Sequence, residues 1–309
     1  MDLWRTVNAY SELKENMRHN GDGEFAAICH AARIGEISDL QVAKLNTRTE
    51  LSDTLAKKNA PPTALWISPT NIQVNQINDN FYEELTSGDD KKPGYRIWAQ
   101  HNAPNLGDAY PDPAMRLKLF QRTGGKKDHS KQLLPRSIRV AIGSRVALVG
   151  NHFGFELGLY SGSIGTVHSI AFSKPAPPDG IGLNDPDALQ AAKYDDRPPI
   201  IFVCFDNYTG EPFFKPAIGE HWEADDFRYR IVPITSIGCI RQKLFHKYHR
   251  YQLPLQPAHA STVHRCQGRT TPVVYFPATE KRGMFAMALD YVAISFISFI
   301  SLFRLGFRV

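Results

Sequence analysis

The chain has 309 residues, 42% of them hydrophobic and 22% charged, which excludes wholesale disorder and a collagen-like fibre. Lys and Arg total 36 against 31 Asp and Glu, and a net charge of +5 is too mild by itself to assign a nucleic-acid partner. The length leaves room for about two domains and for a sizeable core.

Residues 1–60 read as helical. Asp22 can cap a helix that carries Phe25, Ile28 and Ala32 on one face and stops near Gly35. Ser38 followed by Gln41 is a capping box, opening a second helix with Leu40 and Leu45. After a linker over 57–62, Thr63 to Ser68 reads as a buried strand, and Pro69-Thr70-Asn71 as a turn whose Thr or Asn caps the next helix. That helix, Ile72 to Leu85, has Ile77, Phe81 and Leu85 at helical spacing. A strand–turn–helix of this kind is an α/β unit, and ligands of open α/β sheets sit at the loops that follow the strands. The turn is thus a ligand-loop candidate as well as a helix cap.

Residues 86–135 are polar, without a period, and read as an extended connection. From Ile138 the pattern changes to short β-rich runs (IRVAIGSRVALVG, SGSIGTVHSIAF, PPIIFVCFDNYTG, YRIVPITSI) separated by Gly and Pro, the pattern of a small β-barrel. From Gln252 the chain returns to an Ala-containing piece, expected to be helical up to Gly268, and then a strand, TPVVYF. The expected division is therefore 1–137, an inserted barrel at 138–250, and 251–309.

Charge is uneven along this order. Arg116 to Arg145 holds nine Lys/Arg against one acid, Arg228 to Arg250 holds six and no acid, and Asp179 to Asp226 holds eleven acids against three bases. The blocks read either as solvated loops or as a polyanion-facing side opposed to a solvent side. The four cysteines, at 29, 204, 239 and 266, form no C-x-x-C pair, so no metal site is expected and a reducing compartment fits: nucleus first, with mitochondrion or cytosol as alternatives. The chain opens on no apolar leader-like run, and the apolar run Tyr291 to Phe303 is 13 residues long. That is short of the roughly 18–20 a spanning helix needs, so no membrane partner is expected.

The densest chemistry lies in Thr262, His264, Arg265, Gln267, Gly268 and Thr270. Hydroxyl, imidazole, guanidinium and amide groups ending at a glycine suit phosphate oxygens, although taken alone the string also reads as a polar helix end. In context, QLPLQPAHASTVHRCQGRT resembles motif V of the Pif-type DNA helicases, superfamily 1 with 5′→3′ polarity, a group that includes the helicase parts of Helitron-like transposons. Other pieces follow in family order. LKENMRHN at 13–20 resembles the segment with the motif IV arginine, here Arg18. Phe25 to Arg48, with Arg33 and Gly35, resembles the next helix pair. Pro69-Thr70-Asn71 with Val74 and Asn78 matches P-T-N-x-x-V-x-x-x-N. Ile142 to Gly165 resembles the opening of an inserted Src-homology-3-like barrel, Phe205-Asp206 with Gly210 a later strand of it, and Tyr291 to Ser295 motif VI.

The resemblance implies an α/β fold: a RecA-like (P-loop NTPase-type) second helicase domain interrupted by that small barrel. It implies ATP and Mg²⁺ as cofactors of the intact family and single-stranded DNA as partner. Arg18 would be an arginine finger, a surface salt bridge being the alternative. Gln267 and Gly268 would lie by the nucleotide, and Thr70, Asn71, Arg145, Thr262, His264, Arg265 and Thr270 by DNA. Departures are plain. No G-x-x-x-x-G-K-[ST] string or Walker B pair occurs, so a first RecA-like domain is expected to precede this segment. Ser295 is followed by Phe296 where the family has Arg, and Cys266 stands where it has Ser. Three readings stay open: a helicase segment inactive alone, a single-strand-binding module, and a protein-interaction module built on the barrel.

Overall fold

The computed structural model describes residues 11, 22–47, 64–87, 90–102, 134–135, 137–151, 157–172, 199–243, 246–266, 273–276 and 303–305. The chain divides into two compact units, 1–75 with 260–309, and 76–259.

In the first unit, helix α1 (Gly23–Ile34) starts at Asp22, whose carboxylate accepts from the Phe25 N–H at 2.9 Å. It ends at Gly35, whose φ of 79° is the left-handed cap that a side chain resists. Phe25, Ile28 and Cys29 form its buried face. Burial, with Asp22 adding to it, pushes the Cys29 thiol up to about 12, so it packs as an apolar group. Helix α2 (Asp39–Asn46) opens with the Ser38–Gln41 capping box read from the sequence. Leu45 is buried, but Leu40 is 81% exposed, so the expected apolar face of α2 reduces to Leu45.

The core of this unit is a four-stranded sheet with β1 (Leu65–Ser68) flanked by β12 (Ala260–Thr262) and β13 (Val274–Phe276), and β14 (Phe303–Leu305) outside β13. Its three pairings are all parallel. All four residues of β1 are buried, as a parallel strand covered on both faces requires. Trp66 stacks on Tyr275 at 4.6 Å between ring centroids, worth about 1 kcal/mol beyond burial.

In the segment expected to be helical from 252 to 268, the described residues form β11 (Leu255–Pro257), β12, and only then a four-residue helix α4 (Val263–Cys266). Pro254 and Pro257 break a helix, and pairing with neighbouring strands overrides the Ala-rich propensity. Helix α3 (Asn71–Ser87) runs from the first unit into the second.

In the second unit, the segment expected to be an extended connection includes two strands, β2 (Gly94–Trp98) and β3 (Gln100–Asn102). Only pairing reveals them: β2 lies antiparallel to β4 (Ser137–Ala141), and β3 to β10 (His246–Gln252), which also pairs with β9 (Ile237–Lys243). The β-rich runs form a five-stranded antiparallel sheet in the order β11-β5-β6-β7-β8, with β5 at Arg145–Leu148, β6 at Ile164–Ala171, β7 at Ile200–Phe205 and β8 at Ile231–Ile234. Among the described residues no sheet closes into the expected barrel. The inward residues Val146, Leu148, Val167, Ile201, Val203, Phe205, Val232 and Ile234 make one core with Ile138 and Val140 of β4. A Cβ at Gly165 would sit 2.6 Å from the Cys204 carbonyl and 2.9 Å from the Phe205 Cα, so glycine there lets β6 and β7 approach.

No helix among the described residues is long and apolar enough to cross a membrane.

Candidate nucleic-acid interface

Strands β1 and β12 are parallel neighbours in register, Ser68 opposite Thr262. Their carboxyl ends therefore emerge side by side. Beyond Ser68 the chain enters Pro69-Thr70-Asn71 and α3, and beyond Thr262 it enters α4. The two polar stretches singled out in the sequence, nearly two hundred residues apart, meet at the sheet edge where open α/β sheets take their ligands.

The turn is held by a residue that the sequence reading passed over. Gln73 Oε1 accepts from Thr70 Oγ1 at 2.9 Å and from the buried Ser68 Oγ at 2.7 Å, while the Gln73 N–H donates to Thr70 Oγ1 at 3.3 Å. Thr70 is thus the helix cap, with Ser68 and Thr70 locked onto one amide oxygen. The exposed first-turn backbone at Asn71 and Ile72 carries the N–H donors that the following helix leaves without a partner of its own. An S/T-x-x-Q spacing was the available signal, as it was at Ser38.

In α4, Val263 and Cys266 are buried and Arg265 is exposed, so the turn presents its arginine outward and its thiol inward. Thr262 is half-buried. His264 lies in α4. Arg18, Gln267, Gly268 and Thr270 lie outside the described residues, as does motif VI. The residues assigned to nucleotide thus carry no geometry here, and no step through ATP or Mg²⁺ is derived. No group of three His, Cys, Asp or Glu suited to a metal occurs among the described residues.

Arg145, expected to attract DNA, belongs to the second unit and faces Asp206 instead. Its Nη1 donates to Asp206 Oδ1 at 2.8 Å and to Thr166 Oγ1 at 3.0 Å, and its Nη2 pairs with Asp206 Oδ2. The residue is 7% exposed, so its guanidinium joins β5, β6 and the end of β7 rather than meeting solvent. Its backbone N–H donates to His259 Nε2 at 3.0 Å, and the His259 ring stacks on Phe81 at 4.5 Å. Nε2 must be bare to accept that bond, and burial, reinforced by the Arg145 charge, pushes the imidazole down to about 4.

The folded chain therefore keeps His259 neutral, while the unfolded chain titrates near 6.5. Extra protons bind the unfolded state, so stability present at neutral pH is lost as pH falls through 6.5 toward 4, by roughly 3 kcal/mol in all. His259→Gln keeps an acceptor and removes the titration. Urea unfolding at about pH 7 and about pH 4.5 should show the variant losing about 2 kcal/mol less than the native chain. Equal losses would remove His259 from this role.

A crystal structure of Pif1 helicase from Candida albicans matches with a TM-score of 0.62 at 17% identity, over 98% of this chain and 58% of that one. Bacteroides Pif1 in complex with ADP-AlF3 and ssDNA matches at 0.56 and 14%, over 97% and 52%. Bacteroides Pif1 bound to ssDNA matches at 0.54 and 13%, over 96% and 51%.

The chain shares its fold with part of these Pif1 helicase structures.

It spans a little over half the length of those Pif1 chains, and the likeness extends over nearly all of its own. The α/β class expected from the sequence is thus present in the fold, which is shared with Pif1 helicase structures. No family model matches the chain, and no curated protein matches it.

Proposed function

We propose that this chain is the second, motif IV–VI part of a Pif-type ATP-dependent DNA helicase, working on single-stranded DNA together with a P-loop domain. The observation that carries the reading is the register of Ser68 with Thr262. It brings the P-T-N turn and the motif V string to one sheet edge, in a fold shared with Pif1 structures bound to ssDNA and to ADP-AlF3. Thr70, Asn71, Thr262, His264, Arg265 and Thr270 would lie along the DNA backbone, with first-turn N–H groups of α3 among the donors. Gln267 and Gly268 would report the nucleotide's state to that edge, and Arg18 would face the transferred phosphoryl group. The open sheet between 145 and 257 would be the main part of the inserted Src-homology-3-like barrel. Repair, recombination or transposon replication are the settings the resemblance suggests, in the nucleus. The four cysteines, none of them in a disulfide, suit a reducing compartment.

Anisotropy of a labelled oligo-dT across a salt series tests the DNA reading. Log affinity should fall with log salt by about 0.7 per phosphate neutralised. Thr262→Ala with His264→Ala should weaken binding by about tenfold, two or more phosphate hydrogen bonds being lost. Undiminished binding by the folded double variant would remove motif V from the interface.

A further inference from the structure

The helicase reading leaves one feature of the second unit without employment: the segment Glu211-Pro-Phe-Phe-Lys-Pro-Ala-Ile-Gly and the sheet face beneath it. Phe213, Phe214, Ile218 and Phe227 are exposed, Ile218 entirely. These are not the side chains of a slack loop. Phe214 leans on Phe202 of β7 at 5.8 Å, and Phe213 on Tyr208 at 6.4 Å. The Tyr208 hydroxyl donates to the Glu211 carbonyl at 2.6 Å. Phe227 packs near His168 of β6 at 5.8 Å, and its carbonyl accepts from the Cys204 thiol at 3.5 Å. Arg228 clamps the far end, bonding Asp226 and Glu220 and lying over the Trp222 ring at 4.1 Å. Pro212 and Pro216 restrict the backbone on either side of the Phe pair. Aromatic groups held this way are already ordered, so a partner meets little entropic cost in using them.

The charge of the segment selects the partner. Residues 206–227 contain six acids and one lysine. Asp206, Glu220 and Asp226 are engaged by Arg145 and Arg228, while Glu211, Glu223 and Asp225 of the same segment are exposed. Exposed acids repel nucleic acid. They also oppose a two-fold dimer through this face, because the same acids would meet themselves.

We propose that the outer face of β6–β7 bearing Phe214 and Phe227, with the exposed Phe213 and Ile218 and the exposed acids Glu211, Glu223 and Asp225 of the segment that crosses it, docks a basic protein segment bearing apolar or aromatic anchors. The aromatic groups supply the binding energy and the acids select the sign of charge. This surface belongs to the second unit, whereas the ends of β1 and β12 belong to the first.

The test uses the full chain and a labelled short peptide alternating Lys with Leu and Trp, beside a control peptide with Ser at every Leu and Trp position. The first should bind and the control should not. Phe213→Ser with Phe214→Ser should weaken peptide binding by about tenfold or more and leave oligo-dT binding unchanged. Glu223→Lys with Asp225→Lys, which spares both Arg228 pairs, should do the same for the peptide, so a folding defect in one variant does not decide the matter. Near-ultraviolet circular dichroism checks each fold. Equal binding of the two peptides, or binding undisturbed in both folded variants, would overturn the proposal. So would self-association in sedimentation that the Phe213/Phe214 change abolishes, which would give the face to a second copy of the chain.

Discussion

Asp206→Ala is expected to destabilise the second unit by about 3 kcal/mol. The cost arises on Arg145 rather than on Asp206. Asp206 itself is partly exposed, but the Arg145 side chain is 9% exposed and donates to both carboxylate oxygens of Asp206. Removing Asp206 leaves Thr166 as the partner shown for that guanidinium, at 3.0 Å, and strands a charge in the sheet. Asp206→Asn, which keeps an acceptor, should cost less. Arg145→Met combined with Asp206→Ala should recover much of the loss, because a pair replaced together leaves no orphaned charge. Chemical unfolding of the three variants, with hydrogen exchange of the β5–β7 amides to localise the effect, decides the matter. An Asp206→Ala chain within about 0.5 kcal/mol of the native one would show that the pair is idle.

The purified chain should hydrolyse ATP no faster than background, with or without oligo-dT. Its 309 residues contain no G-x-x-x-x-G-K-[ST] string to cradle the phosphates and place a lysine and Mg²⁺ on them. Arginine fingers act on a phosphoryl group already held in this way, where they are worth about 10³–10⁵ in rate. Joined to a P-loop domain of the same family, the chain should support DNA-stimulated turnover, and Arg18→Ala should reduce it by about a thousandfold. A coupled phosphate-release assay reads both results. Turnover by the isolated chain that Arg18→Ala abolishes would show that the sequence reading missed a nucleotide site.

Both expectations rest on residues visible in the sequence, yet they were not equally legible. The absence of the P-loop is a statement about a string and needs no structure. Arg145 and Asp206 were each seen, one in G-S-R-V-A-L and the other in F-D, as separate pieces of a resemblance. The bond between them, spanning 61 positions, exists only because β5, β6 and β7 are consecutive in the sheet. Arg145 is packed on Asp206 rather than open to solvent, because a basic block counts charges and only packing tells which of them face water. Gln73 was overlooked in a comparable way. Its spacing from Thr70 matched the pattern noticed at Ser38 and Gln41, but its hold on Ser68 as well depends on the strand end lying against the first turn of α3.

By itself the sequence determined what is local. Both ends of α1 and the start of α2 followed from Asp22, Gly35, Ser38 and Gln41, because caps are bonds between residues three or four apart. The short β-runs after Ile138, and the helix after Pro-Thr-Asn, followed from period and punctuation. The tertiary structure alone decided what is non-local. It made strands of 94–98, 255–257 and 260–262, where partners far along the chain supply the hydrogen bonds that local propensity does not. It left the five-stranded sheet open among the described residues, since closure depends on strand pairing that no single run encodes. It also brought Thr70 and Thr262 to one edge, because parallel register, unlike helix capping, is set by which distant strand a residue lies beside.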